Sequence, residues 1–386
     1  MPPTSAGPER LPRLLLPGRQ RFLRPPLLAL CALGLATGLL AGLAAPPLRA
    51  AVSECDAPRS EWLMCEDFED GGLGWPAWFA ASPFTECNGC RADGSNDPDR
   101  IQLTNAPGAA FSGDWAVHMP AAAAAGYQGA SLTYRSCQGP KRAGCNLVGY
   151  ETLHFRTRVR LDETHQYVHH FLELGGTRPD RYWDSDGNAG CRPDGLRWAG
   201  TTLDFDRDHA LFFYTYFPDM RCDAGGYCSG DYARRICEGC AAKNMPCRQR
   251  QECCWGNLFK PEPAVFLAPG QWVCLELMLQ LNTPGQADGR MAFWIDGLPA
   301  LEVDGMRWRD VPELQLNKAW LMHYIAAGDA DQSNPVWFDD MVVSTDYIGC
   351  DGPRPVPSAS PSAAPSASPP APVRWWGFLP WLRAAR

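Results

Sequence analysis

The stretch Pro269-Gly270-Gln271-Trp272-Val273-Cys274-Leu275-Glu276-Leu277-Met278-Leu279-Gln280-Leu281-Asn282 decides the fold. Val273, Leu275, Leu277, Leu279 and Leu281 are all aliphatic, and the residues between them are mixed. Side chains of a strand point alternately to opposite faces, so this is a strand with one core face and one open face. Pro284-Gly285 and Asp288-Gly289 supply turns after it. Met291, Phe293 and Ile295 then alternate with Arg290, Ala292, Trp294 and Asp296, before Asp296-Gly297 and Asp304-Gly305 turn the chain again. Upstream, Leu153, Phe155, Thr157, Val159 and Leu161 alternate with His154, Arg156, Arg158 and Arg160. Many short alternating strands, with no long capped stretch of helical period, predict an all-β antiparallel sandwich. The open faces hold Trp, Tyr, Arg, His, Gln and Asn. Rings stack on pyranose faces and planar polar groups reach hydroxyls and carboxylates, so such a face suits a carbohydrate.

Composition agrees with a folded body. The chain has 386 residues, of which 45% are hydrophobic and 20% charged, enough to bury a core and too apolar for general disorder. Formal net charge is -8, although residues 1–50 carry six Arg and one Glu. The remainder is therefore more acidic than the whole, which argues against nucleic acid as a partner.

The N-terminus explains its own charge. Arg10, Arg13, Arg19, Arg21 and Arg24 precede an apolar run from Leu27 to Ala45, and small residues lead to Ala50. Residues 1–50 read as a signal peptide with a long basic lead, the rival reading being an uncleaved membrane anchor. Cys31 falls inside that apolar run, leaving 16 of the 17 cysteines for the body. An even count in an exported chain predicts disulfides, including those of a Cys-rich loop insertion at 222–254. Zinc is the rival for Cys237-x-x-Cys240 and its neighbours. Residues 351–374, almost all Pro, Ser and Ala, are an extended linker. The aromatic tail at 375–386 is too short to span a membrane. It fits a membrane interface, a partner surface or a disordered end. These features predict a secreted, cell-surface or periplasmic protein, with membrane contact only through the N-terminal anchor or C-terminal tail.

Within 51–350 the residues resemble the jelly-roll, concanavalin-like polysaccharide lyases, most of all the alginate lyase and glucuronan lyase group. The resemblance rests on Pro269-Gly-Gln-Trp272 through Trp294-Ile-Asp-Gly297 and on Val168-His-His-Phe-Leu-Glu-Leu-Gly-Gly176. It rests also on Phe213-Tyr-Thr-Tyr-Phe-Pro-Asp219 and Phe338-Asp-Asp-Met-Val-Val-Ser344. It implies cleavage of uronate-containing chains by β-elimination, in which a base takes the C5 proton and an acid protonates the departing O4. Tyr214 and Tyr216 match the family's tyrosine pair and share one strand face. Where the family has a catalytic lysine, an ungapped reading lands on His170. Alternation puts His170 with Val168, Leu172 and Leu174 on a core-like face, and His169 with Phe171 and Glu173 on the open face. A one-residue slip exchanges the two, so both histidines are carried.

The family's Ser-x-Arg would fall near Gly200-Thr201-Thr202, where no arginine stands. Arg156 and Arg158 are the replacements considered, since Arg pairs bidentately with carboxylates. Gln280, Trp294, Glu173 and Asn282 complete the expected substrate-binding set. In related jelly rolls the first and last strands share a calcium ion. Glu66, Glu69, Asp114, Asp339 and Asp340 are the oxygen donors that could hold a structural one here. Asp184-Ser-Asp186-Gly187-Asn188 is a weaker calcium-loop fragment. Two functions stand side by side: a polysaccharide lyase, and a non-catalytic carbohydrate-binding module or surface protein that kept the fold.

Overall fold

The computed structural model describes residues 53–120, 129–188, 190–220, 256–324 and 334–350. The expected signal peptide at 1–50, the expected insertion at 222–254, the expected linker and the aromatic tail lie outside the described residues. No helix among the described residues is long and apolar enough to cross a membrane.

Two antiparallel sheets stack into a jelly-roll sandwich. The first runs in the order β13 (Leu298–Met306), β12 (Gly289–Ile295), β11 (Trp272–Gln280), β6 (Thr152–Leu161), β15 (Val336–Ser344), β4 (Ala116–Met119), β3 (Gln102–Thr104). β1 (Trp62–Glu66) also pairs with β15. The second runs β10 (Asn257–Phe259), β9 (Leu211–Tyr216), β8 (Trp198–Phe205), β7 (His170–Thr177), β14 (Gln315–Tyr324), β5 (Ala130–Arg135), β2 (Glu86–Asn88). The predicted strands around Leu153–Leu161, Val273–Leu281 and Met291–Ile295 are β6, β11 and β12, paired in the expected antiparallel sense.

The aliphatic positions of those strands face inward. Phe155, Leu275, Leu277 and Phe293 of one sheet meet Leu172, Leu174, Leu203 and Phe213 of the other, all of them buried. Phe213 stands edge-on to Phe293 at 5.2 Å, and Phe171 packs on Phe338 at 5.4 Å. Each such side chain contributes roughly 1.5–3 kcal/mol by leaving water.

The outer face of the first sheet is closed by the ends of the body. Glu276, fully buried on β11, accepts the Ile348 and Gly349 N–H groups at 2.9 and 2.8 Å and contacts His154 Nδ1 at 2.9 Å. Cys274 is bonded to Cys350 beside it. The remaining disulfides among the described residues are Cys55–Cys65, Cys87–Cys90 and Cys137–Cys145, and Cys191 is disulfide-bonded as well. Every described cysteine is thus paired.

Candidate functional site

The register of the second sheet builds one continuous rung. Glu86, Thr133, Trp320, Glu173, Thr202 and Tyr214 are successive partners across β2, β5, β14, β7, β8 and β9. Six strands at ~4.8 Å spacing make a row roughly 24 Å long. The row floors a cleft of about 590 Å³ whose walls include Trp183, Trp198 and Tyr324. Arg135, Lys318, Gly175, Gly200 and Tyr216 form the parallel rung beside it. The double glycine has a packing reason: a Cβ on Gly176 would overlap the Gln315 carbonyl of β14.

Both histidines line this cleft. Alternation placed His170 on the core side because it counted β7 as regular. The pairing with β14 shifts between Leu172–Leu321 and His170–Tyr324. There Phe171 and Leu172 are both buried in the core, so two consecutive residues point inward and the alternation resets. Asp204 of β8 serves this irregularity. Its Oδ1 accepts the Phe171 N–H at 3.0 Å and its Oδ2 accepts from His170 Nδ1 at 2.9 Å. A carboxylate only accepts, so Nδ1 carries the hydrogen and Nε2 is left to the cleft. Burial pushes the Asp204 carboxyl up, and the His170 contact opposes that. His169 Nδ1 lies 3.2 Å from the Tyr167 hydroxyl.

Tyr214 stands 5.3 Å from His170, ring to ring, and its hydroxyl is 3.0 Å from that of Tyr216. The Tyr216 oxygen accepts the Gly190 N–H at 3.0 Å and a further backbone bond from Gly256. With its oxygen so occupied, Tyr216 turns its own proton toward Tyr214. Burial, first, and the neighbouring Tyr214 hold the Tyr216 phenol well above its ordinary range. Tyr216 therefore stays protonated and supports Tyr214. Gly256 lies flat against the Tyr214 ring, where a Cβ would come within 2.8 Å of Cζ.

Carboxylates outnumber cations along the rung. Lys318 is buried and bridges Glu173 Oε1 at 2.9 Å and Asp186 Oδ1 at 3.2 Å. Arg135 is buried too, and it holds Glu86 at 3.2 Å and Asp186 at 2.6 Å. Arg135 also donates to the Tyr182 carbonyl at 2.9 Å and to Ser185 Oγ at 3.2 Å. It thereby pins the 182–188 loop, with Trp183, over one end of the cleft. Asp186, read from sequence as part of a calcium-loop fragment, is instead an ion-pair partner.

Several expected site residues belong elsewhere. Arg156 and Arg158 lie on β6, in the other sheet. Arg156 is buried against Glu54 (Nη1–Oε2 3.0 Å) and the Gly349 carbonyl (3.2 Å), and Arg158 donates to the Cys350 carbonyl. Trp294 packs on Tyr347 at 5.2 Å on the same closed face. Gln280 pairs in register with Thr152 and Arg290 at the end of β11. Asn282 is buried in a turn, where it donates to the Gln286 and Arg309 carbonyls, each at 2.8 Å, and accepts the Trp308 N–H at 2.7 Å. Glu173 alone of that expected substrate-binding set faces the cleft.

Of the five acids considered for calcium, four have carboxylates that accept hydrogen bonds within the fold. Glu66 accepts from Phe68 N at 3.0 Å and Trp78 Nε1 at 3.1 Å, and burial lifts it to about 7. Glu69 accepts the Asp114 and Trp115 N–H groups at 3.0 and 2.9 Å. Asp339 takes the Phe111, Ser112 and Asp340 N–H groups, and Asp340 takes the Ser112 hydroxyl. These carboxylates are turned to hydrogen-bond donors, and no cluster of three or more His, Cys, Asp or Glu able to hold a metal occurs among the described residues.

With the geometry in place, the chain can be set beside known structures. It is similar to an alginate lyase from Aplysia kurodai at TM-score 0.46 and 13% identity, covering 68% of this chain and 91% of that one. It is similar to an alginate lyase from Chlorella virus at TM-score 0.46 and 12% identity, over 72% and 95% of the two chains. It is similar to an endo-β-1,4-glucuronan lyase from the fungus Trichoderma reesei at TM-score 0.39 and 14% identity, over 68% and 96%. No protein-family model matches the chain, and no curated protein matches it. The chemistry of the cleft rests on its own side chains.

Proposed function

We propose that the protein is an exported carbohydrate-active protein whose cleft holds a polysaccharide chain and cleaves it by β-elimination at a uronate residue. The observation that carries this reading is the meeting of an Asp204-backed His170 with the Tyr214–Tyr216 pair in one aromatic-walled cleft. His170 Nε2 is the base that takes the C5 proton. The electrons form the C4–C5 double bond, the C4–O4 bond breaks, and Tyr214 gives its proton to O4. Both groups stand on one side of a chain lying on the sheet, so the proton leaves and arrives on the same face. Tyr216 stays protonated and positions Tyr214; afterwards the C5 proton on His170 passes to solvent and Tyr214 regains a proton from it. A row roughly 24 Å long spans several sugars, and Trp183, Trp198 and Tyr324 offer ring faces for them. The paired cysteines support export into an oxidising compartment.

One observation favours a non-catalytic binding module instead. Arg135 and Lys318 beside the cleft are both paired with carboxylates, so neither is spare to neutralise a uronate. Comparison of turnover and binding for Tyr214→Phe separates the two. Loss of turnover with binding retained supports the enzyme; a wild type that binds without turnover supports the module.

A further inference from the structure

We infer that the cleft takes a mixed chain, with an uncharged sugar seated over Glu173, Trp320 and Glu86 next to the uronate at His170. The inference rests on the reading of the cleft given above and deepens it. Glu86, Glu173 and Asp186 all line the cleft, and each keeps part of its side chain exposed (22%, 19% and 30%). The cations that hold them, Arg135 and Lys318, lie sealed behind them at 0% and 1% exposure. Sugars in this part of the cleft therefore meet carboxylate oxygens and do not meet the charges that balance them. Lys318 Nζ lies 4.0 Å from the Trp320 ring centroid, which fixes that ring in the floor between Glu173 and Glu86.

An aromatic floor flanked by acceptors suits the C–H face and donating hydroxyls of a neutral pyranose. A uronate placed there would set its carboxylate against two others, and like charges at close range cost binding. A uronate homopolymer must put a carboxylate there whichever residue sits at His170. A chain alternating uronate with N-acetylhexosamine need not.

The test is direct binding of the full exported protein to hyaluronan, which alternates those sugars, and to alginate, a uronate homopolymer, at matched chain length. Hyaluronan should bind about tenfold tighter, a gap that corresponds to roughly 1.4 kcal/mol and narrows as salt rises. Glu86→Gln should bring alginate closer to hyaluronan while leaving the melting temperature within a few degrees, and Glu86→Gln with Glu173→Gln should do so further. Alginate binding as tightly as hyaluronan, or neither chain binding, overturns the inference whether or not anything is cut. Preferred binding of hyaluronan without cleavage leaves the inference standing and removes the elimination chemistry instead.

Discussion

Asp204 holds His170 Nδ1 at 2.9 Å with one carboxylate oxygen and the Phe171 N–H at 3.0 Å with the other. One buried side chain thus satisfies the donor freed by the β7 irregularity and fixes the ring that faces the cleft. The two tasks can be separated by substitution. Asp204→Asn keeps a carbonyl oxygen for the Phe171 N–H but loses the charge that favours Nδ1–H on His170. Turnover should fall about 10²-fold or more, with a small change in melting temperature. Asp204→Leu should also leave the N–H unsatisfied and cost a further 1–3 kcal/mol or so by denaturant unfolding. Equal stability of the two variants would show that the N–H does not depend on Asp204.

Tyr214 and Tyr216 should differ in the same way. Replacing the proton carrier Tyr214 by Phe should cut turnover about 10²–10⁴-fold. Tyr216→Phe acts through its neighbour and should cost less. It should also shift the alkaline limb of the pH–rate profile, because Tyr216 donates to the Tyr214 oxygen. A Tyr216→Phe enzyme with an unchanged pH profile would place Tyr216 in packing alone.

Stability should pass through a maximum at about pH 6–7, where the gain from the two histidines and the loss from Glu66 balance. Burial depresses His118 and His323 to about 4, so the unfolded chain takes up protons below the ordinary histidine range that the folded chain refuses. Stability falls as pH drops through that window. Burial raises Glu66 to about 7, so the unfolded chain releases a proton that the folded chain retains, and the Glu66 contribution to stability falls as pH rises toward 7. Glu66→Gln keeps an oxygen for Phe68 N and Trp78 Nε1. It should raise the melting temperature at pH 8 and change it little at pH 5. A lowered melting temperature at pH 8 would mean that the charged form of Glu66 has a use, a bound cation being the first to test.

The Cys274–Cys350 bridge closes a sequence separation of 76 residues over the outer face of the first sheet. Replacing both cysteines by Ser should cost about 4 kcal/mol in urea unfolding without changing turnover, since the cleft lies in the other sheet. Loss of turnover at full stability would tie that face to the site.

The strands were legible because alternation is local. Leu153–Leu161 and Val273–Leu281 face the core as their period requires. The tyrosines were legible for the same reason, being two residues apart on a regular strand, and Glu173 lies where β7 still pairs in regular register. Alternation does not say which of two sheets an open face belongs to. Arg156, Gln280 and Trp294 show the same outward pattern as Tyr214, but they lie on the other sheet, where Gly349 and Tyr347 cover Arg156 and Trp294. His170 was ambiguous because a bulge leaves no local mark in sequence. Asp204, Arg135 and Lys318 were missed because their partners are 33 to 145 residues away. A lone acid in the apolar run Leu203-Asp204-Phe205 was the one available signal.

The most direct measurement is the chemistry of the new chain ends after wild-type protein is incubated with a uronate-containing polymer. Elimination adds no water and leaves a C4–C5 double bond that absorbs in the ultraviolet. The account predicts ends that absorb and carry no added water by mass, formed by wild type and lost in Tyr214→Phe and His170→Asn. Saturated ends with water added, or a polymer bound and left intact between about pH 5 and 10, would contradict it.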